Sequence, residues 1–168
     1  MTWFSVDVEA NGPAPGLFSM LSLGAVAVRD GLHDTFYVEL QPLPGAGVNE
    51  QALAVSDLSM EHLSANGKTP HDAMGDLAAW IVATAKDGAA VLVSDNPGFD
   101  AAFITYYFAL AGIPNPFGHS SRRIGDLYAG FKKGLSQSQR MEEASHKGSQ
   151  PQRVRRRTRK RKRTTKDC

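Results

Sequence analysis

The sequence predicts an α/β domain built on a mixed sheet, three antiparallel strands with parallel additions, flanked by helices. Three observations carry this. The first 40 residues hold three segments with strand patterning and a turn signal between the second and third. From residue 56 onward, helical periodicity alternates with one short, wholly apolar run. The 168 residues are 42% hydrophobic, enough for one domain with a sizeable core and too few for two ordinary ones.

The elements follow in order. In residues 3–9, Phe4, Val6 and Val8 alternate with Ser5, Asp7 and Glu9, so one face is apolar and the other polar, as in a strand. Residues 11–16 read Asn-Gly-Pro-Ala-Pro-Gly and form a loop. Residues 20–28 are a second strand, Asp30-Gly31 a hairpin turn, and residues 35–40 a third strand paired with the second. Residues 42–47 are loop, and residues 56–63 are helical, with capping residues ahead of apolar positions. Residues 70–85 form a longer helix capped by Thr69, with Ala73, Leu77, Trp80, Ile81 and Thr84 on one face. Residues 89–93, Ala-Ala-Val-Leu-Val, suit a strand covered on both sides. Residues 99–110 are a helix closed by Gly112 and Pro114, and residues 122–131 a further helix. After about residue 134 the apolar periodicity fades, which divides the chain into a domain at 1–135 and a tail at 136–168.

Charge reinforces that division. Residues 1–150 hold 9 Lys/Arg against 16 Asp/Glu, a balance of −7, whereas residues 151–168 hold 10 Lys/Arg and one Asp, a balance of +9. The tail has no apolar face to join a core and is expected to be disordered. It suits a nucleic-acid arm or a nuclear-localisation signal. The one cysteine, Cys168, excludes a disulfide framework and a multi-cysteine zinc site and fits a reducing, intracellular (cytoplasmic) setting. Neither a signal peptide nor a membrane span is expected.

Chemistry concentrates in carboxylates. Asp7 and Glu9, two apart on a strand, project from one face just before the Gly/Pro loop. Adjacent carboxylates repel unless a cation lies between them. Oxygen donors without cysteine favour Mg²⁺ or Mn²⁺. On spacing alone, a half-exposed strand with two solvated acids is the plainer reading. Asp100 sits where the apolar run turns into a helix, and by itself reads as a helix N-terminal acid.

Taken together, these pieces resemble the DnaQ-like, or DEDD, 3′→5′ exonucleases. Asp7-Val8-Glu9 resembles the family's first motif, Leu23-Gly24-Ala25-Val26 its second-strand signature, and the stretch from Asn96 through Phe99-Asp100 to Phe103 its second motif. Residues 52–63, followed by Thr69-Pro70, look like its helical insert, and Ile124-Gly125-Asp126-Leu127 is similar to the opening of its next helix. The resemblance covers about residues 2–133. It implies a ribonuclease H-like fold and a nucleic-acid 3′ end, DNA or RNA, as substrate. It further implies two Mg²⁺ or Mn²⁺ ions held by Asp7, Glu9 and Asp100, with terminal phosphodiesters hydrolysed by a two-metal mechanism. Leu17 and Phe18 would pack against the terminal base or cap the core. Asn96 would orient the second-motif loop or touch substrate.

The family's third motif, His-x₄-Asp or Tyr-x₃-Asp, is missing. Five residues after His146 stands Pro151, and four after Tyr128 stands Lys132. The general base and fourth carboxylate are therefore unassigned, and His119 reads as a solvated loop residue. Two functions compete: an exonuclease, its activity lowered by that loss, and a catalytically inactive nucleic-acid-binding protein using the exonuclease fold and basic tail. The tail also admits a shifted reading frame. Arginine codons of the CGN type displaced by one base become GNC, which includes Asp, and the codons of Ser149, Gln150 and Pro151 can then spell His-Asn-Pro.

Overall fold

The computed structural model describes residues 1–86 and 88–132. Met1–Gly134 form one compact unit. The order is β1 (Thr2–Ala10), β2 (Met20–Ala27), β3 (Thr35–Glu39), α1 (Glu50–Ser56), α2 (Met60–Asn66), α3 (Pro70–Ala85), β4 (Ala90–Ser94), α4 (Pro97–Ala111), β5 (Ser121–Arg123) and α5 (Ile124–Phe131). The sheet runs β3-β2-β1-β4-β5. The pairs β1·β2 and β2·β3 are antiparallel, and β1·β4 and β4·β5 are parallel, which is the mixed sheet expected.

Alternation along β1 decides its two faces. Phe4, Val6 and Val8 are buried and join Leu23, Ala25 and Val38 of the neighbouring strands in the core. Helices α3 and α4 close that face through Leu77, Ile81, Phe103 and Phe108. Each fully buried side chain of this size contributes roughly 1.5–3 kcal/mol. Phe4 anchors the layer, edge-on to Trp80 at 5.3 Å and to Phe117 at 5.7 Å between ring centres. Local signals bound both helices. Thr69 Oγ1 accepts from the Asp72 N–H at 3.1 Å, ahead of Pro70 in the first turn of α3. Gly112, at φ 69°, ends α4 in the left-handed region.

The opposite face carries Trp3, Ser5, Asp7 and Glu9 on β1. Its upper part is an apolar groove of about 510 Å³ lined by Trp3, Val26, Val28, Leu127, Tyr128 and Phe131, among others. Helix α5 borders the groove yet has no buried residue, and Phe131 is 81% exposed. None of the helices among the described residues is long and apolar enough to cross a membrane.

Four expectations are corrected. The helix expected at 56–63 is two seven-residue helices, broken where Asp57 adopts φ 55° and Ser59 caps the second. Residues 122 and 123 are strand rather than helix, because they pair in parallel with Val93 and Ser94. The β2–β3 connection is wider than a two-residue turn: Gly31 and Leu32 both have positive φ, and an Arg29–Asp34 ion pair closes its base. The buried stripe of α3 includes Met74 and Ala85, while Thr84 and Trp80 lie at its margin. The tail expected at 136–168 lies outside the described residues.

Candidate active site at the ends of β1 and β4

Strands β1 and β4 run in parallel and stop pairing at Ser5 and Val93. Beyond that point β1 continues through Asp7, Val8 and Glu9 with no strand on its β4 side among the described residues. The opening at the carboxyl ends of parallel strands is where α/β sheets commonly seat ligands. Asp100, in the first turn of α4, fills the gap: its Oδ1 accepts from the Val8 N–H at 3.1 Å. Its own N–H donates to the Asn96 carbonyl at 3.0 Å. One oxygen of the Asp100 carboxylate is thus held by the Val8 N–H, and the residue is only 4% exposed. Asp7 and Glu9 are exposed on the sheet face beside it. A bulge follows at Glu9/Ala10, re-aiming the strand as it leaves the site.

Electrostatics show that the three acids share one place. Burial, then the charges of Asp7 and Asp100, hold the Glu9 carboxyl above the ordinary value. Burial likewise raises the pKa of Asp100, with Asp7 adding to the rise, while Ser94 and the Val8 N–H pull it down. The buried Ser94 hydroxyl lies close enough to this carboxyl to favour its charged form. A cation between the acids would offset both the burial of their charge and their mutual repulsion. Among the described residues, no three such side chains are already closed into a metal-holding group. An all-oxygen donor set of two exposed acids and one fixed acid fits a hard divalent cation in chemistry.

The loop after β1 is built to one side. The Asn11 N–H donates to the Ser19 carbonyl at 3.1 Å, and Asn11 Oδ1 accepts from the Ser19 N–H at 2.7 Å, so residues 11–19 close at the neck. The Phe18 ring lies flat on Gly12, where a Cβ would sit 2.1 Å from ring carbons. Phe18 is half-buried there. Leu17 is 70% exposed and so does not cap the core. Gly16, at φ 84°, packs on the Tyr106 ring, which ties the loop to α4. Met20, where β2 begins, donates its N–H to the Tyr107 hydroxyl at 2.7 Å, and burial pushes that phenol up to about 12. The residues that sequence reasoning missed are these holders, Asn11, Ser19 and Tyr106. The Asn-Gly pair ahead of the prolines was their one local signal.

Other candidates fall elsewhere. The Asn96 side chain is exposed and makes no capping bond, so it is available at the rim of the site. The Asp95 carbonyl accepts from Arg123 Nε at 2.9 Å. Asp126 lies 3.8 Å from Arg123 on α5. Tyr128 lines the apolar groove rather than the acid site, and His119 is exposed in a loop. His146 lies outside the described residues.

No protein-family model matches the chain. The 3′-5′ DNA exonuclease Cap18 of Escherichia coli is 41% identical over 128 residues, which span 75% of this chain and 67% of that protein. Among solved structures, Escherichia coli Exonuclease I in complex with a 5cy-dT13 oligonucleotide superposes with a TM-score of 0.62 at 14% identity, over 77% of this chain and 29% of that one. The nuclease domain of 3′hExo, a DEDDh family member bound to rAMP, gives 0.64 at 14% identity, over 80% and 72%. A zinc-bound Escherichia coli Exonuclease I–ssDNA complex gives 0.63 at 15%, over 77% and 29%. These low identities speak to fold, and the chain spans under a third of the Exonuclease I length.

Proposed function

Because this chain belongs to the DnaQ-like (DEDD) 3′→5′ exonucleases and has their ribonuclease H-like fold, we propose that it hydrolyses terminal phosphodiesters at nucleic-acid 3′ ends, using divalent metal ions held by Asp7, Glu9 and Asp100. The observation that carries this reading is the convergence of two strand carboxylates with a buried helix carboxylate where β1 and β4 part.

The side chains divide the work. Asp7 and Glu9 offer exposed oxygens that can turn toward a cation, while Asp100 offers one held by the Val8 N–H. When bound, Mg²⁺ or Mn²⁺ supplies Lewis-acid polarisation of the phosphodiester and acidifies a water nucleophile. Leu17, exposed on the closed 11–19 loop, and Phe18 behind it present an apolar surface for the terminal base. Asn96 presents a free amide at the rim. The domain at 1–135 carries these parts, and the basic tail adds phosphate affinity.

The test is release of mononucleotides from 3′-labelled single strands, DNA and RNA, with Mg²⁺ and with Mn²⁺. Release should vanish in Asp7→Ala and in chelator. Binding that survives Asp7→Ala but fails on tail deletion, with no release under any condition, would instead identify a non-catalytic binding protein.

A further inference from the structure

Sheet register continues the acid site in a direction that neither strand motif names. Asp7 pairs with Gly24 on β2, and Gly24 pairs with Tyr37 on β3. The next row on the same face is Glu9, Ser22 and Glu39. Strands lie 4.7–4.9 Å apart, so Tyr37 stands about 10 Å from Asp7 across the sheet. Between them Gly24 presents no side chain, and a Cβ built there would meet nothing within 4 Å. The floor from the acids to Tyr37 is therefore open.

Tyr37 is an aromatic side chain held in place while left uncovered. It is 62% exposed. Its hydroxyl donates to Glu39 Oε1 at 3.0 Å, and Glu39 Oε2 lies 3.3 Å from Nε2 of His62 on α2. Asn66, one turn on, approaches the other ring nitrogen of His62 at 3.3 Å. This polar chain fixes the phenol end and leaves the ring face free. An exposed tyrosine ring with its hydroxyl held offers an apolar face on which a second ring can stack. A nucleobase is the natural occupant next to a phosphodiester site, because base–aromatic stacking is worth about 1–3 kcal/mol and tolerates every base. Glu39 repels phosphate, so a strand crossing here turns a base, not its backbone, toward β3.

We propose that Tyr37, positioned by Glu39 and His62, is a stacking platform for a nucleobase one or two positions inside the 3′ terminus, with Gly24 as the open floor between it and the reacting phosphate. The inference rests on the exonuclease reading and adds a subsite to it. Such a platform raises affinity for strands and leaves single-nucleotide substrates untouched.

Two measurements on the full chain test it. In the first, Tyr37→Ala and Tyr37→Phe are compared with the unsubstituted chain on a single-stranded oligonucleotide and on the p-nitrophenyl ester of thymidine 5′-monophosphate, which has no neighbouring base. Tyr37→Ala should raise KM for the oligonucleotide by about 5- to 150-fold, the stacking energy quoted above, with kcat held and the ester unaffected. Tyr37→Phe, which keeps the ring, should keep most of the unsubstituted chain's affinity for the oligonucleotide. An equal loss on both substrates, or no loss on either, overturns the proposal while leaving the exonuclease reading intact. If neither substrate is cleaved by the unsubstituted chain, the exonuclease reading fails and the subsite falls with it. In the second, strands carrying 5-iodouracil at the terminal or either of the next two positions are photocrosslinked to Asp7→Asn protein. Crosslinking at Tyr37 should favour the inner positions. Crosslinks elsewhere, or only from the terminal base, would sink the assignment without reference to activity.

Discussion

Asp100 has two roles that a substitution can separate. Its charge contributes to the acid site, and its Oδ1 satisfies the Val8 N–H that β4 leaves without a strand partner. Asp100→Ala should therefore lose activity and also destabilise the fold by about 1–3 kcal/mol, the cost of a buried donor left unmade. Asp100→Asn keeps an acceptor and should lose activity with a smaller change in urea midpoint. Equal midpoints for the two variants would remove the structural role. The pH dependence follows from the raised values of Glu9 and Asp100. The folded chain holds these protons at pH values where the unfolded chain has released them. Their contribution to stability therefore declines as pH rises from the ordinary carboxylate range upward. In chelator, Asp7→Asn should flatten that decline from the ordinary carboxylate range upward, because Asp7 raises both neighbours. An unchanged slope in urea titrations would mean that the three charges do not interact. The first two acids were legible in the sequence because alternation alone puts residues 7 and 9 on one face. The partner of Asp100 was not, because Val8 and Asp100 are 92 residues apart.

At the level of elements, the well-signalled helices behaved as their sequences suggested. Thr69 and Pro70 start α3, and Gly112 stops α4. Thr69→Ala should cost about 0.5–2 kcal/mol, readable as a lowered denaturant midpoint, with no effect on nucleotide release. The two short helices were harder, since seven residues fill less than the window over which helical periodicity shows. Their boundaries rest on caps instead: Asn49 accepts from two N–H groups of α1, and Ser59 accepts from His62 on α2. Asp57 between them holds φ 55°, a conformation costly for a residue with a Cβ. Asp57→Gly, which removes the Cβ from a left-handed position, should raise the thermal midpoint. Strand β5 had no periodicity to read, being three residues whose strand character comes from pairing with β4.

Among the described residues, one sheet face is packed by α3 and α4 and the other is not. The exposed groove of Trp3, Val28, Leu127, Tyr128 and Phe131 adjoins the strand that carries Asp7. Apolar surface of this extent normally meets a partner surface. The tail, with 10 Lys/Arg in residues 151–168, has no apolar face to offer it. Replacing the 81%-exposed Phe131 by Ser should reduce binding of a hydrophobic dye to the folded chain. Unchanged dye binding would mean that the groove is not open to solvent. The nucleotide sequence provides an independent check, because arginine codons that forbid Asp in the shifted frame exclude a displaced motif. Deleting the tail should flatten the dependence of oligonucleotide binding on salt. The log–log slope should fall by about 0.7 for each phosphate of a single strand that the tail neutralises.

By itself the sequence determined the mixed sheet, the face on which Asp7 and Glu9 lie, and the helix that brings Asp100, because each depends on a period or a cap a few residues long. Only the tertiary structure decided that Asp100 takes the Val8 N–H, that Asn11 and Ser19 hold the loop bearing Leu17 and Phe18, and that Gly24 opens a path to Tyr37. Those interactions depend on strand register and on where β1 and β4 part, and these are settled by how the whole core packs rather than by any local pattern.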